Sequence, residues 1–403
     1  MVAKSKTPSL ADIPHVNGFP RYSKEEMARR HDGLKAMIEE HDLAAVVIVG
    51  ATGPLETSVL YYTSWSPLTE SHVVVTAAGE ATLFVRLWNH LPDARIIAAI
   101  DDVRYAGDSP VEAAENVAAK LKESGADGKK IGVIGPQRHA DAMIMQAALP
   151  SAEWMDLNTA YRALRLFKSE EELVFMRLAA SYNDRAVEAM EAQIKPGINE
   201  RDIAKMVEDT YLTEGAVNLI HFTLSTPMAD PQFCVPHQLH PDRVIQSGDV
   251  IVTEISTAFW GYSGQILRTF TVDAEPTPLY QELHDVAEST WNDMTSVIKT
   301  GVTIGELLDQ AEQIDKAGFT IYDDLIHGFG GAYLPPISRT RQSRGSTHPE
   351  DYAYDQAGTV LVIQPNIITK DEKAGVQLGN SFVITDDGIE NLQRYPSKLI
   401  RCG

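Results

Sequence analysis

Residues 248–270 read GDVIVTEISTAFWGYSGQILRTF, and this stretch decides the predicted fold. A turn at Gly248-Asp249 starts one strand, because glycine and aspartate favour turn conformations. A second strand ends at Arg268-Thr269-Phe270. The stretch carries Glu254 and Gln265, together with several Ser and Thr residues and Arg268, among apolar residues. The stretch therefore predicts a strand pair that brings polar groups into a largely apolar environment.

The composition indicates a folded, acidic protein. The chain has 403 residues, of which 44% are hydrophobic and 23% charged, and its formal net charge is -21. Such acidity disfavours nucleic acid and anionic membranes as partners, since both need clustered Lys and Arg. Cys234 and Cys402 are too few for a disulfide framework. We find no apolar stretch of signal-peptide or bilayer-spanning length, so we expect a cytoplasmic protein.

The order of apolar runs predicts two domains. Strands over 44–49, 72–76, 81–85 and 130–135 alternate with helical segments, which is typical of a layered α/β domain. The strands over 72–76 and 81–85 are predicted to form a hairpin around Ala78-Gly79-Glu80. Residues 165–194, which follow this domain, contain a long helix with Ser169 at its N-cap. We therefore predict an N-terminal domain over residues 1–160 and a C-terminal domain over 161–403.

Several segments together resemble the creatinase / aminopeptidase P / prolidase superfamily. The resemblance covers nearly the whole chain and rests on the order and spacing of these motifs: Leu164 to Glu172, Lys195-Pro196-Gly197, Ser247-Gly248-Asp249, Gly261-Tyr262, Arg268-Thr269-Phe270, Ile326 to Gly330, Val362 to Pro365, and Ser381 to Thr385. It implies the α/β (α+β) fold class, with a creatinase-like N-terminal domain and a C-terminal pita-bread domain.

Metallopeptidases of this superfamily hold two divalent ions with two aspartates, one histidine and two glutamates. The resemblance places those positions at Glu254, Gln265, His327, Gln364 and Gly379. One carboxylate and one imidazole are few donors for two ions. From this ligand count we expect no metallopeptidase activity and no cofactor. A single ion bound by His327 and Glu254 stays open as an alternative.

Creatinase, a metal-independent relative, uses a histidine for proton transfer, and the resemblance places it at His237. Histidine suits that role because its unperturbed pKa is about 6.5; the alternative is that His237 caps a loop or satisfies a buried carbonyl. Glu254 and His327 are the other predicted catalytic residues. Glu254 either anchors substrate or orients a histidine, or it is a buried acid paired with Arg268 or His327. Creatinase's substrate-holding glutamates correspond to Leu267 and Gln364, so we do not expect a guanidinium substrate.

The predicted substrate-binding residues are polar groups at the cleft and aromatic or charged groups around it. In this superfamily the N-terminal domain of a second subunit often closes the active site, so we expect a homodimer that binds a small-molecule substrate. The predicted set is Gln265, Gln364, Asn380, Trp260, Tyr262, Phe329, Tyr333, Tyr62, Trp65, Glu70 and Arg86, the last four coming from the N-terminal domain.

Three functions follow as hypotheses. The first is a metal-independent creatinase-like hydrolase of a C–N bond in a small organic molecule, with His237 as general acid and base. The second is a metal-independent lyase that cleaves a C–C, C–N or C–O bond by histidine acid–base chemistry. The third is a non-catalytic binding module.

Overall fold

The computed structural model describes residues 8–50, 56–331, 333–345 and 349–403. The chain divides into two compact units, one comprising Ala11–Arg165 and the other Leu166–Gly403 with the described residues before position 11. Helices and sheets occur in both units, which confirms the predicted α/β class. None of the helices in the described ranges combines the length and the apolar character that a membrane crossing requires.

The N-terminal unit is built on a six-stranded mixed sheet. Its strands are β1 His15–Val16, β2 Phe19–Pro20, β3 Ala45–Gly50, β4 Ser71–Thr76, β5 Ala81–Val85, β6 Asp102–Tyr105, β7 Lys130–Ile134 and β8 Glu153–Asp156. Its helices are α1 Lys24–Glu40, α2 Ser58–Thr63, α3 Leu91–Ile97, α4 Pro110–Glu123, α5 His139–Ala148 and α6 Asn158–Ala163. The sheet order is β6-β5-β4-β3-β7-β8, while β1 and β2 form a separate pair. The predicted hairpin of residues 72–76 and 81–85 is confirmed as the antiparallel pair β4–β5.

The C-terminal unit is built on a ten-stranded sheet. Its strands are β9 Val217–Pro227, β10 Asp249–Phe259, β11 Tyr262–Ser263, β12 Ile266–Val272, β13 Thr320–Ile321, β14 Ile326–Gly328, β15 Leu334–Ser338, β16 Val360–Ile363, β17 Ile367–Ile368, β18 Gly379–Thr385, β19 Gly388–Asn391 and β20 Ile400–Cys402. Its helices are α7 Glu170–Gln193, α8 Glu200–Glu208, α9 Pro278–Val297 and α10 Ile304–Lys316. The sheet runs β11-β10-β12-β18-β16-β14-β15, with β9 on β10, β20 on β12 and β19 on β18.

The long predicted helix is confirmed as α7, and its polar interior residues have structural roles. Ser169 and Glu172 form a capping box at its N-terminus, an arrangement that satisfies two otherwise unpaired backbone N–H groups. The side-chain oxygen of Asn183 accepts a hydrogen bond from Thr257 N on β10, at 2.9 Å. Asp184 accepts from the backbone N–H groups of Arg394 and Tyr395. The helix is therefore fixed to the sheet by hydrogen bonds to strand and loop backbone as well as by apolar packing.

Arg268 on β12 is fully buried and ties the C-terminal segments of the chain to the sheet. Its guanidinium donates to Gly379 O at 3.0 Å and to Asn380 Oδ1 at 2.9 Å, both on β18. It also donates to Tyr395 O at 2.8 Å and to Pro396 O at 3.1 Å. Removing the guanidinium from this buried network would leave several oxygen acceptors without a hydrogen-bond donor.

We predict that Arg268→Met lowers the free energy of unfolding by about 3–5 kcal/mol, because it leaves buried carbonyl groups unpaired. Urea unfolding followed by circular dichroism measures this loss. The matched control is Arg401→Met on β20, because Arg401 forms an exposed ion pair with Glu275 and exposed pairs contribute about 0–1 kcal/mol. Equal effects of the two substitutions would contradict the role given to Arg268.

Candidate active-site cavity

A cavity of about 250 Å³ lies in the C-terminal unit, where β9, β10, β14 and β16 approach one another. Its lining combines acidic, amide, imidazole and apolar groups. The lining residues are Ile220, Phe222, Val235, Pro236, Gln238, Glu254, Gln265, Tyr322, Asp323, Asp324, His327, Phe329, Tyr333 and Gln364. None of these residues is a lysine or an arginine. Among the residues that the structure describes, the cavity wall is therefore acidic and carries no lysine or arginine.

The structure brings four of the predicted polar residues together in this cavity. Glu254 lies on β10, Gln265 directly precedes β12, His327 lies on β14, and Gln364 directly follows β16. The side-chain amide of Gln265 donates a hydrogen bond to Glu254. The Gln364 amide donates to Asp324 O at 3.1 Å. These side chains converge because their strands are neighbours in one sheet.

Two aromatic residues of the predicted set also line the cavity. The Phe329 ring packs edge-on against His327, with ring centroids 5.4 Å apart. The Tyr333 ring is tilted over His327 at 4.5 Å. His327 itself is buried, and its Nδ1 lies 3.1 Å from Gly328 O. These contacts fix the orientation of the imidazole, with Nε2 turned toward the acidic side of the cavity.

Asp323 and Asp324 are lining residues that our sequence analysis missed. They precede β14 and face the cavity beside His327, whose Nε2 is 3.8 Å from Asp324 Oδ2. Asn366 donates to Asp323 Oδ2 at 3.1 Å. The available signal was the acidic pair in Asp323-Asp324-Leu325-Ile326-His327. We overlooked it because we counted acids only at the positions aligned with the family's metal ligands.

Four buried side-chain oxygens around the cavity have no hydrogen-bond donor. They are Oε1 of Gln265, Oε1 of Gln364, Oδ1 of Asp323 and Oδ2 of Asp324. Leaving a buried acceptor unpaired costs about 1–3 kcal/mol. All four atoms are acceptors, so the cavity is complementary to a cation or to a ligand that is rich in N–H donors.

The acids in the cavity shift one another's protonation. Burial and the carboxylates of Asp323 and Asp324 raise the pKa of Glu254 to about 8. Burial and Asp324 raise the pKa of Asp323 to about 7, against a smaller opposing effect of Arg339, which lies outside the cavity lining. Burial lowers the pKa of His327. Without a bound cation, the cavity therefore favours protonation of Glu254 and Asp323 and a neutral His327 imidazole.

A larger cavity of about 610 Å³ lies beside α7 but does not have this character. Several of its charged side chains already have partners: Arg185 pairs with Glu214 at 2.7 Å, and Glu191 accepts from Tyr395 and Lys398. We therefore place the candidate active site in the smaller, acidic cavity.

Several predicted site residues lie outside the cavity lining. His237 is partly buried, its backbone pairs with Thr223, and its ring packs edge-on against Phe233 at 5.0 Å. Asn380 bonds to Arg268 and Asn391, and the Tyr262 hydroxyl bonds to Glu172 on α7. Trp260 occupies the turn after β10 with a positive φ of 48°. Roles in substrate binding for Asn380, Tyr262 and Trp260 stay predictions.

The remaining predicted residues belong to the N-terminal unit. Tyr62 and Trp65 are buried there, and Arg86 is partly buried. Glu70 lies beside His72 and Asp141. Their predicted contribution to the active site of a second subunit stays a prediction, as does the homodimer.

We predict that the contribution of Glu254 to the stability of the metal-free protein is lost as the pH rises from about 5 to about 8. The unfolded chain releases the Glu254 proton near pH 4.5, whereas the folded chain holds it up to about pH 8. The stabilising effect of the raised pKa is complete below pH 4.5 and is lost on approaching pH 8. Urea unfolding in EDTA across this range measures the free energy of unfolding. Any decline of this free energy with rising pH should be shallower for Glu254→Gln than for the wild type. Glu153 is exposed, so the control Glu153→Gln should show the same dependence of the free energy of unfolding on pH as the wild type. A dependence for Glu254→Gln that runs parallel to that of the wild type would contradict the raised pKa of Glu254.

Comparison with solved structures shows the same fold over nearly the whole chain. Prolidase from Pyrococcus horikoshii matches with a TM-score of 0.74 and 22% identity, over 92% of this chain and 99% of that one. Xaa-Pro dipeptidase from Bacillus anthracis matches with a TM-score of 0.76 and 20% identity, over 93% and 99%. A variant of Escherichia coli aminopeptidase P matches with a TM-score of 0.72 and 19% identity, over 93% and 96%. The predicted two-part pita-bread fold is thereby confirmed.

Sequence relatives cover the chain to different extents. The Xaa-Pro dipeptidase of Pyrococcus furiosus is 22% identical over 381 residues, which cover 93% of this chain and all of the relative. The uncharacterized peptidase YqhT of Bacillus subtilis is 27% identical over 259 residues, covering 63% of this chain and 69% of that protein. Both relatives carry peptidase names, and neither is named a creatinase or a lyase.

Residues 174–386 match the family model described as metallopeptidase family M24. With the dipeptidase relatives, this match overturns the expectation of a metal-independent hydrolase or lyase that uses His237 as general acid and base, and that of a non-catalytic module. The ligand count considered only the aligned positions and therefore included neither Asp323 and Asp324 nor the Glu70–His72–Asp141 group. The chain belongs to metallopeptidase family M24, an enzyme family of the creatinase / aminopeptidase P / prolidase superfamily.

Proposed function

We propose that this protein is a peptidase that hydrolyses the amide bond of a small peptide and holds a divalent cation in its acidic cavity. The observation that carries the proposal is the group of four unpartnered buried oxygens in a cavity with three carboxyl groups and no Lys or Arg on its wall. Family membership and the dipeptidase names of relatives support the reaction class.

The donors in the cavity fit one divalent cation. Carboxylate and amide oxygens suit hard ions such as Mn²⁺ or Mg²⁺, and imidazole extends the choice to Zn²⁺. Asp324, His327 and Glu254 would hold the ion, with Gln265 and Gln364 offering neutral oxygens. The set does not reproduce the five positions that the resemblance assigns to two ions. A Cβ at Gly379 would lie 2.9 Å from Gln364 Cβ and 2.8 Å from Leu267 Cδ1, so the backbone leaves no room there for a fifth ligand side chain.

When bound, such an ion polarises a carbonyl group and lowers the pKa of a water molecule. The protein's own side chains position the substrate. Phe222, Phe329, Val235 and Pro236 supply apolar wall for a peptide side chain. The volume of about 250 Å³ lies just below the usual range for small-molecule sites, about 300–1,000 Å³. It therefore suits a dipeptide better than a long peptide.

We predict turnover of a dipeptide, with Xaa-Pro dipeptides tested first, that depends on an added divalent cation. Liberated amino acid is measured after EDTA treatment and after addition of Mn²⁺, Zn²⁺ or Mg²⁺. Asp324→Asn and His327→Ala should each lower kcat/KM by at least about a hundredfold, because each removes a donor to the cation.

The exposed Asp230→Asn variant serves as the matched control and should retain wild-type turnover. If no dipeptide or tripeptide is cleaved with any of the three ions, or if Asp324→Asn and His327→Ala turn over at the wild-type rate, the proposal is wrong.

A further inference from the structure

A second cluster of ligand-type side chains lies in the N-terminal unit. Glu70 directly precedes β4, His72 is on β4, and Asp141 is in the first turn of α5. Glu70 and His72 are two residues apart, so their side chains point to the same face of the strand. One ligand atom from each of the three residues lies within 4.8 Å of the others, and the described part of the chain holds no other such His, Cys, Asp or Glu group.

The imidazole of His72 is aimed into this cluster without a hydrogen-bond partner. The residue is 1% exposed, and neither ring nitrogen is paired. Oε2 of Glu70 is likewise buried and unpaired. A ring nitrogen that is buried without a partner costs about 1–3 kcal/mol, so the arrangement calls for a group that the side chains themselves do not supply.

The spacing of the donor atoms favours a metal ion over a direct hydrogen bond. His72 Nε2 and Glu70 Oε1 are 3.8 Å apart, which exceeds the 2.7–3.2 Å range of an N–H···O bond. Ligands at about 2.0–2.2 Å from a tetrahedral ion are separated by about 3.4 Å along an edge. A small adjustment would therefore place both atoms on one ion.

Arg138 is the competing cation at this site, and it does not satisfy the cluster. It donates to both oxygens of Asp141, at 2.6 and 2.9 Å, and lies 3.5 Å from Glu70 Oε1. It leaves His72 and Glu70 Oε2 unpaired. Its side chain is 48% exposed, so it can turn toward solvent, and each carboxylate oxygen retains a second lone pair for an ion.

We propose that Glu70, His72 and Asp141 bind one divalent transition-metal ion of the Zn²⁺ class. One imidazole nitrogen and two carboxylate oxygens are a Zn²⁺-type donor set, with water completing the tetrahedron. The ion joins β4 to α5 and thereby stabilises the N-terminal unit. This site is independent of the proposed peptidase cavity, which is formed by other residues in the other unit.

The test uses full-length protein in an Asp324→Asn background, so that the cavity cannot account for bound metal. After EDTA treatment and dialysis, this parent is titrated with Co²⁺ and with Zn²⁺. We expect about one ion per chain by elemental analysis, visible absorption from tetrahedral Co²⁺, and a rise in Tm of several degrees with Zn²⁺. Adding His72→Gln or Glu70→Gln should abolish the bound ion, the absorption and the rise in Tm.

His139→Gln is the matched control, because His139 lies exposed on α5; it should behave as the parent does. Urea unfolding in EDTA tests whether each variant is folded before metal is added. If His72→Gln does not fold, the isosteric variant Glu70→Gln takes its place in the test. The proposal is overturned if the Asp324→Asn parent binds no ion, or if both Gln variants bind as much Co²⁺ as the parent. Either result leaves the peptidase proposal untouched, because that proposal depends on the wild-type cavity.

Discussion

The buried guanidinium of Arg268 is the interaction on which the geometry of the candidate site depends. It joins β12 to β18 through Gly379 O and Asn380 Oδ1 and holds the segment at Tyr395 and Pro396 against the sheet. Gln265 directly precedes β12, and its backbone N–H donates to Ser381 on β18. Because these strands are locked together, Gln265 is held at a fixed place beside Glu254.

In the cavity, burial and repulsion between carboxyl groups both oppose the ionisation of Glu254 and Asp323. Three carboxyl groups share a small space, and the raised pKa values of Glu254 and Asp323 show that the fold opposes their full ionisation. A fold selected only for stability would replace such a group with apolar residues of similar volume. The unpaired oxygens and the repulsion are instead relieved together when a cation enters. This is why we connect the acidic cavity with a cation rather than with a structural role.

The sequence predicted the parts of the molecule that depend on local chemistry. The N-cap at Ser169 and the β4–β5 hairpin follow from short-range patterns, and the meeting of Glu254 and His327 follows from motif order. The hydrogen bonds of Asn380 to Arg268 and of Tyr262 to Glu172 join distant residues that no local pattern identifies, and the roles of Asn380 and Tyr262 toward a substrate stay predictions.

Asp323 and Asp324 were missed for a different reason. A resemblance directs attention to aligned positions, whereas electrostatics depends on every charge that faces the cavity. The same holds for Asp141, which lies near Glu70 and His72 only because the folded unit brings the first turn of α5 close to the start of β4. The central claim, a cation in the acidic cavity, is tested most directly by anomalous diffraction at the manganese edge from crystals soaked in Mn²⁺. We predict an anomalous peak within coordination distance of Asp324 and His327, and a cavity without such a peak in crystals at saturating Mn²⁺ would contradict the account.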